Sequence, residues 1–430
     1  MSSLKRRGDV PQTTTAAAPA LLAFLEKYKG EPFLACMVFS EPKALWRQVS
    51  KSLQQILRVV RPPFLQSVEN RKSKCPAEIT RGIFRLSQCF KITSLSLKSL
   101  HLTLDTAHPL FGMVLNCKEL TSLVLAFDNT QSDIVKTIVS DLVQLRKLEK
   151  LTLQHCSKTT EPMHEELCAA LTQIPELRNL HLDVPPMQAP ELRAVLYAIA
   201  KCTKLKVLGL TGQRIAHTGE GFLEAVIDNK PLQVLNLSNN RLDKQAMRRL
   251  EPLLLNIEEL DLSSNDLQEG GGVHLATKIT SIKVLNLANN RIWPDGIENL
   301  FAGSTGPCAL RVLCLNNNSI MTLGLRTLAN SATRLVCLES LSLQNNSISP
   351  RGGEAVLQLL AQCTALSELC LAWNNLNSSI QEELLPVLPT CTTLVRLDLH
   401  GNNMAREQVT SFHASVDRFP WMKTRLMPQR

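Results

Sequence analysis

The sequence has few aromatic residues and no long apolar run. Phe, Trp and Tyr make up 4% of the 430 residues, so any core must be built mainly from aliphatic side chains. No stretch approaches the roughly 18 consecutive apolar residues of a membrane-spanning helix. The longest candidate, residues 21–25, is also too short for a convincing signal-peptide core. The sequence therefore predicts no membrane-spanning segment.

Motifs for catalysis and nucleotide binding are also missing. The chain contains no Gly-x-x-x-x-Gly-Lys-Ser/Thr phosphate loop, no His-Glu-x-x-His and no Gly-x-Ser-x-Gly, the local patterns for nucleotide phosphates, catalytic zinc and a nucleophilic serine. His155 and His181 come from adjacent repeated segments and are both expected on the inner face, but no third metal ligand is evident. We predict a protein that is not an enzyme and binds no metal and no cofactor.

Thirteen cysteines occur without a Cys-x-x-Cys pair, so they show no zinc-ligand pattern. Five of them stand three residues before the first leucine of a repeated segment, where other segments carry Leu or Ile: Cys89, Cys117, Cys202, Cys363 and Cys391. We interpret these as free core residues, which favours a reducing compartment. The predicted location is the cytoplasm, with association with the cytoskeleton or the nucleus as alternatives.

The chain instead contains one motif that recurs many times, Leu-x-x-Leu-x-Leu-x-x-Asn-x-Leu. Seven clear copies begin at Leu232, Ile257, Ile282, Leu310, Leu338, Leu366 and Leu394. Five degenerate copies begin at Ile92, Leu120, Leu148, Leu177 and Leu205. Successive starts are 25 to 29 residues apart, which is the spacing of leucine-rich repeats.

Each copy predicts a short strand followed by a helix. In Leu285, Asn286 and Leu287 the leucines alternate with a polar residue, as in a strand with one buried face. Later in a copy, apolar residues such as Val356 and Leu360 recur at helical spacing, and Ser349 is predicted to cap that helix. One unit buries too little apolar surface to fold alone, so the units must stack.

The Asn of the pattern is present in every clear copy: Asn240, Asn265, Asn290, Asn318, Asn346, Asn374 and Asn402. The degenerate copies carry Leu100, Asp128, Cys156, Pro185 and Gln213 instead. An amide both donates and accepts hydrogen bonds, so stacked inward-facing Asn side chains can form a ladder that satisfies backbone groups where the strands end. We expect Asn290→Ala to destabilise the fold and Asn289→Ala, on the exposed side, to have little effect.

The motif, the 28-residue period and the helix after each strand resemble the ribonuclease-inhibitor-like class of leucine-rich repeat proteins over residues 92–404. The resemblance implies an α/β fold, a right-handed solenoid or horseshoe of about twelve repeats. Its parallel sheet would line the inner face and its helices the outer face, with helical caps at both ends. The class includes ribonuclease inhibitor, the sensor arms of NOD-like receptors and the Ran GTPase-activating protein, so the fold does not decide the function.

Two functions follow as expectations. The first is a non-catalytic scaffold or adaptor that binds another protein on its concave face. The alternative is a Ran-type activator or regulator of a small GTPase, for which Arg214, Arg241 and Arg291 are candidate catalytic arginines. Their recurrence at one repeat position favours ordinary exposed loop residues. The tail of this chain is basic, whereas the tail of that family is strongly acidic.

Charge divides the chain unevenly, with a net charge of +10 for residues 1–91, −4 for 92–404 and +3 for 405–430. A repeat array that bound nucleic acid along its groove would itself be basic, so nucleic acid is not an expected partner. We predict a disordered tail over 1–20, a basic helical cap region over 21–91 and the repeats over 92–404. A cap helix with a tail should follow over 405–430.

The N-terminal region contains one basic amphipathic helix, predicted over residues 45–60. Its apolar stripe can cover the open end of the first repeat, because a solenoid needs a cap with a polar outer face. The other interpretation is contact with an acidic partner or an anionic membrane surface. At the opposite end, one helical stripe predicts the C-terminal cap: Val409, Phe412, Val416 and Phe419.

Most side chains predicted on the concave face are small or polar, such as Ser238, Asn239, Ser263, Ala288, Asn316 and Gln344. The large or charged ones are the candidate partner-binding residues and fall in two groups: Glu368, Trp373, Arg396, Asp398 and His400 in the last two repeats, and Glu259 and Asp261 in the seventh. Binding energy usually concentrates in a few aromatic and Arg residues. We therefore predict Trp373 and Arg396 as anchors, with packing of Trp373 over neighbouring strands as the alternative.

Overall fold

The structure, a computed structural model, describes residues 67–69, 76–87, 91–100, 102–128, 130–156, 163–217, 226–227, 231–303, 306–417 and 423–425. The predicted helix over 45–60 lies outside the described residues, as does Cys89. The chain divides into two compact units, Met1–Leu177 and Arg178–Arg430. None of the described helices is long and apolar enough to cross a membrane.

The described part of the first unit contains four parallel strands and four α-helices. The strands are β1 Ser67–Glu69, β2 Ser94–Leu100, β3 Ser122–Asp128 and β4 Lys150–Cys156. The helices are α1 Pro76–Ser87, α2 Leu104–Leu115, α3 Ser132–Asp141 and α4 His164–Gln173. Each strand pairs in parallel with the next one along the chain.

The second unit continues the alternation. Its strands are β5 Asn179–Asp183, β6 Val207–Thr211, β7 Val234–Asn236, β8 Glu259–Asp261, β9 Val284–Asn286, β10 Val312–Cys314, β11 Ser340–Ser342, β12 Glu368–Cys370, β13 Arg396–Asp398 and β14 Lys423–Arg425. Its described helices are α5 Ala189–Ala200, α6 Lys244–Leu250, α7 Gln268–Gly271, α8 Trp293–Ala302, α9 Met321–Asn330, α10 Gly353–Gln362, α11 Ser379–Leu384 and α12 Arg406–Val416. All neighbouring strands are parallel.

The core lies between the sheet and the helices and consists of the repeat leucines. In β9 the central Leu285 is fully buried while Val284 and Asn286 are half-buried, and the same alternation recurs in β10, β11 and β12. On the helix side, Val356, Leu359 and Leu360 are buried along one face of α10. This arrangement confirms the predicted leucine-rich-repeat solenoid fold.

The Asn ladder is present. Each amide side chain, here called a rung, makes hydrogen bonds to the backbone of a neighbouring repeat. The Nδ2 of Asn290 donates to the carbonyl oxygens of Leu262, Leu287 and Ala288 at 2.8, 3.0 and 3.2 Å. The N–H of Asn290 donates in turn to Oδ1 of Asn318 at 2.8 Å. Gln213 is a further rung that the sequence did not reveal, since it is fully buried and its Nε2 donates to the Val184 carbonyl at 2.7 Å.

The ladder also accounts for a difference in strand length. Just before a ladder Asn the chain turns through a left-handed residue, with φ of 59° at Asn239 and 58° at Asn289, and strands β7 to β13 are three residues long. At the ladder position of β2, β3 and β4 stand Leu100, Asp128 and Cys156, which cannot donate as an amide does. Those three strands run through that position and are seven residues long.

Two details at the ends of elements differ from the predictions. Ser349 does not cap its helix, because its hydroxyl shares a hydrogen bond with Oγ1 of Thr322 at 2.8 Å, and a short 3-10 segment, Pro350–Gly352, precedes α10. The C-terminal stripe of Val409, Phe412 and Val416 is buried on α12, as predicted. However, the edge of β13 pairs with the unpredicted strand β14 rather than with this helix.

Replacing Asn290 by Ala should lower the free energy of unfolding by about 1 to 3 kcal/mol, because three buried carbonyl groups lose a donor. Chemical denaturation monitored by circular dichroism measures the change. Asn289→Ala is a poor control, since alanine in a left-handed conformation itself costs about 1 kcal/mol. Asn289→Gly is the matched control, and an equal loss in both variants would contradict the ladder interpretation.

The predicted core cysteines Cys117, Cys202, Cys363 and Cys391 are buried, and burial raises the pKa of the Cys363 thiol to about 11. Because the thiolate is the reactive form, Cys363 should resist iodoacetamide at pH 8 in the native protein, whereas the exposed Cys337 should react. Mass spectrometry of native and urea-unfolded samples measures both rates. Equal native labelling of the two cysteines would contradict this packing.

Candidate protein-binding site

The candidate site lies on the outward face of the sheet in the second unit, where the strand residues between the buried leucines are displayed. In β9, β10 and β11 the described residues of this face are uncharged. The amide Oδ1 of Asn316 accepts from the Ser342 hydroxyl at 2.7 Å and from the Gln344 N–H at 2.8 Å. Ala288, predicted on this face, is buried and adds little surface. The charged and aromatic side chains of this face are therefore separated by uncharged surface.

Glu368 and Arg396 form one pair at the C-terminal end of this face. They are partners in the register of β12 and β13, so their side chains leave the sheet side by side. The Arg396 Nη1 lies 2.8 Å from Oε1 of Glu368, and both side chains remain substantially exposed. An exposed pair of this kind contributes little to stability, so Arg396 can exchange its partner at small cost.

Asp398 and His400 form a second, more buried pair. The two residues are two apart and project from the same side of β13 and its continuation. Oδ1 of Asp398 lies 2.5 Å from Nδ1 of His400 and accepts the His400 backbone N–H at 3.1 Å. The side chains are 16% and 13% exposed. These contacts hold the imidazole in one orientation.

Trp373 lies beside this pair and is the largest exposed group of the site. Its ring meets the His400 ring edge to face, with 5.6 Å between centroids. It also covers the backbone of Gly401, where an added Cβ would stand 2.6 Å from the indole Cδ2. Half of Trp373 nevertheless remains exposed. The predicted alternative, packing over a neighbouring repeat, thus holds for part of the side chain.

The backbone of Trp373 is unusual for its residue type. Its φ is 53°, a left-handed conformation that most side chains avoid. The equivalent residues of other repeats are all left-handed and are Asn, Ser or Gly: Asn239, Asn289, Asn317, Asn345, Ser264, Gly212 and Gly401. Asn and Gly tolerate this conformation better than Trp does. The sequence pattern missed this feature, although a Trp among Asn, Ser and Gly at one repeat position was a signal.

Glu259 and Asp261 lie apart from the C-terminal group. They belong to β8, four strands from β12, or roughly 20 Å at the usual strand spacing. Oδ1 of Asp261 accepts the Ser263 N–H at 2.9 Å. In the part of the chain that the structure describes, no basic group lies within ion-pair distance of either carboxylate. The seven predicted residues thus lie in two groups, the same two that their places in the seventh and in the last two repeats predict.

Of the two histidines singled out in the sequence, only His181 has a described side chain, because the side chain of His155 lies outside the part of the chain that the structure describes. His181 lies against Gly209 of the next strand, where an added Cβ would overlap the ring. Burial lowers the pKa of His181, and the charge of Asp183 partly opposes that shift. The described residues contain no group of three or more potential metal ligands.

Comparison with known proteins agrees with a repeat architecture. A family model described as Leucine Rich repeat matches residues 254–276 and 335–357. The chain is 35% identical over 106 residues to a Tonsoku-like protein of Bos taurus, which covers 23% of this chain and 8% of that protein. The corresponding mouse protein is 34% identical over 103 residues, again 8% of its length. The chain therefore spans a small part of these relatives.

Two solved structures are similar at low identity. An internalin (inlF) from Listeria monocytogenes has a TM-score of 0.42 and 17% identity, with 89% of this chain and 88% of that chain covered. A leucine-rich repeat protein from Leptospira interrogans has a TM-score of 0.41 and 18% identity, with coverages of 86% and 98%. The repeat fold itself suggests a surface for protein–protein interaction.

Substitution of Gly401 by Ala should destabilise the protein by about 1 to 3 kcal/mol, because its φ is 72° and the new Cβ would displace Trp373. In a Trp373→Asn background the steric part of this loss should disappear. A double-mutant cycle from denaturation curves measures the coupling between the two positions. Strictly additive effects would show that the indole does not rest on Gly401.

Proposed function

We propose that this chain is a non-catalytic scaffold that binds a partner protein through the C-terminal end of the sheet face in its second unit. The observation that carries the proposal is Trp373, which is half exposed and left-handed at a position where other repeats carry Asn, Ser or Gly. Holding a bulky residue in this conformation costs about 1 to 3 kcal/mol. Such strain favours a role for this side chain in binding a partner rather than in stabilising the fold.

The groups around Trp373 suit a protein interface. Trp and Arg are enriched among the residues that carry most of the binding energy at protein interfaces, and both Trp373 and Arg396 are exposed. Arg396 can turn from Glu368 to an acidic group of the partner, since its present pair is solvent-exposed. Asp398 and His400 are held by their mutual contact, and the His400 ring meets the indole edge to face. We expect Trp373 and Arg396 to supply most of the binding energy.

Glu259 and Asp261 make up a separate part of the proposed interface. Their carboxylates have no cation opposite them among the described residues, so a basic side chain of the partner fits there. A partner that reaches both groups must span about 20 Å of neutral amide and hydroxyl groups. That distance is well within a standard protein interface.

We also propose a subclass for the repeats and a cellular compartment for the protein. The period of about 28 residues and the helix after most strands support a ribonuclease-inhibitor-like type of repeat. The buried free cysteines support a reducing compartment such as the cytoplasm. Arg214, Arg241 and Arg291 are exposed residues of equivalent turns, which supports the loop interpretation over a catalytic role in a small-GTPase activator.

The double variant Trp373→Asn, Arg396→Ala should lose capture of the partner while keeping its melting temperature, because Asn suits the left-handed backbone and the Arg396 pair is exposed. Affinity capture of the full chain from its own cells, with quantitative mass spectrometry, measures the loss. Tyr197→Ala is the matched control, since it removes an exposed aromatic from α5. Retained capture by the folded double variant would remove this site, and a small GTPase as dominant partner would favour the alternative function.

A further inference from the structure

An apolar row crosses the sheet face in the middle of the second unit. Val207, Val234, Val284 and Val312 are the first residues of β6, β7, β9 and β10. Val207 is the register partner of Val234, and Val284 is that of Val312. All four side chains are half-buried, so each leaves apolar surface open to a ligand. These four residues are called the valine row below.

Strand β8 interrupts the valine row with a carboxylate. Glu259 is the register partner of both Val234 and Val284, and it is exposed. Valine meets the needs of the fold at this position in the strands on both sides. The glutamate is therefore not required by the packing of the sheet.

A second carboxylate stands beside the first. Asp261 lies two residues after Glu259 and so on the same face of β8. Its Oδ1 accepts the N–H two residues further along at 2.9 Å. Asn236 and Asn286, its register partners, make the same contact at 2.9 and 3.1 Å, so a neutral amide satisfies the backbone equally well. Two carboxylates on one strand face also repel each other, and a ligand of opposite charge removes that cost.

We infer that the valine row binds an extended basic segment of the partner protein, with a Lys or Arg over β8. The head group of this residue meets Glu259 and Asp261, and its aliphatic stem lies on Val234 and Val284. The inference rests on the proposed function and deepens it, because it states which chemistry the partner presents to the second group of the site.

The charges around the valine row support a basic occupant. Strands β6, β7, β9, β10 and β11 contain no charged residue. Two basic residues that precede strands are paired, since Lys283 Nζ lies 2.7 Å from Glu258 Oε2 and Arg311 Nη2 lies 2.6 Å from Glu339 Oε1. Lys206 precedes β6, two strands or about 10 Å from β8. The two carboxylates of β8 are thus the excess charge of this part of the face.

The turns at the other end of the strands do not change this sign. Arg241 and Arg291 lie there beyond the buried rungs, together with the acidic Asp266 and Glu269. Arg291 Nη1 is 3.4 Å from Asp266 Oδ1. Positive and negative groups therefore balance on these turns, whereas the sheet face between them carries only negative ones.

A metal ion is the other ligand that two carboxylates attract. Ca²⁺ takes about six to eight oxygen ligands, and the described residues contain no group of three or more potential metal ligands. An organic cation on an aliphatic stem needs fewer acceptors. It also uses the valines on both sides of Glu259, which a metal ion does not.

The spacing of the valine row predicts a sequence motif for the segment. Neighbouring strands are about 4.8 Å apart, so valines lie about 5 and 10 Å from Glu259 on each side. In an extended peptide, alternate side chains share one face and are about 6.6 Å apart. A peptide that crosses the strands with its basic residue over β8 thus places the residues two before and two after it on valines. The expected motif is apolar-x-Lys/Arg-x-apolar.

Selection of random 12-residue peptides displayed on phage against the full chain tests this inference. The double variant Glu259→Val, Asp261→Asn serves for counter-selection, and it should keep its melting temperature because the neighbouring strands carry these residues. Peptides that prefer the unaltered chain should contain the motif. By fluorescence polarisation, such a synthetic peptide should bind the double variant about ten-fold more weakly and lose affinity as salt rises.

Changes in the peptide separate the head group from the stem. Norleucine in place of the basic residue should weaken binding less than alanine does, because norleucine keeps the aliphatic stem. The control chain is Glu298→Gln, Glu354→Gln, which makes the same charge change on exposed residues of α8 and α10. The peptide should bind this control normally.

Several results would overturn the inference. They are enrichment of peptides without a basic residue, equal affinity for the unaltered chain and the double variant, and equal effects of norleucine and alanine. Tighter binding of a peptide of residues 1–20, which contains Lys5, Arg6 and Arg7, would assign the valine row to the chain's own N-terminal segment. Calcium binding that the double variant loses, without any selected peptide, would identify a metal site instead.

Affinity capture from cells distinguishes this inference from the proposed function. The inference alone fails if Glu259→Val, Asp261→Asn retains the partner while Trp373→Asn, Arg396→Ala loses it. Retention of the partner by both folded double variants removes the proposed function as well. Loss in the variant of β8, together with normal capture by Glu298→Gln, Glu354→Gln, is the expected result.

Discussion

The hydrogen bonds of the buried Asn ladder are the constraint on which the regular half of the molecule depends. One amide, such as Asn346, donates to a carbonyl oxygen of the previous repeat and accepts a backbone N–H through its Oδ1. Each rung therefore fixes the turn after a strand and joins that turn to its neighbour. Leucine burial drives the stacking, but leucines alone do not define how the chain leaves the strand.

The ladder determines which surface the protein can display. Because the turns are held from inside, the residue before each rung is left-handed, and at five rungs so is the residue after it, as at Asn317 and Ser319. These positions tolerate different side chains provided the rung is intact. The rung is absent at Leu100 and Asp128, and there the strand is longer. None of the described residues next to these two positions is left-handed.

Much of this architecture could be predicted from the sequence, because leucines at periods of 2 and 3.6 and an Asn every 25 to 28 residues are local signals. The strand β14 and the rung Gln213 could not, since both depend on partners from another repeat. Ser349 failed as a cap because a Thr322 hydroxyl 27 residues away competes for its side chain. The candidate site was predicted in composition and in its division into two groups, because the repeat that holds a residue gives its place along the sheet. The pairing of Arg396 with Glu368 follows from strand register, which a one-dimensional pattern does not give.

Trp373 shows how such a scaffold can carry function without losing its fold. The rung beside it is intact, since the Nδ2 of Asn374 donates to the carbonyl oxygens of Leu343, Leu371 and Ala372 at 2.9 to 3.2 Å. The hydrogen bonds of Asn374 thus fix the turn that keeps Trp373 in its strained left-handed conformation. Contact of the indole with Gly401 offsets part of the conformational cost. A rigid turn presents the indole in one orientation, which reduces the entropy lost when a partner binds. The interaction that stabilises the repeat is therefore the one that preorganises the surface.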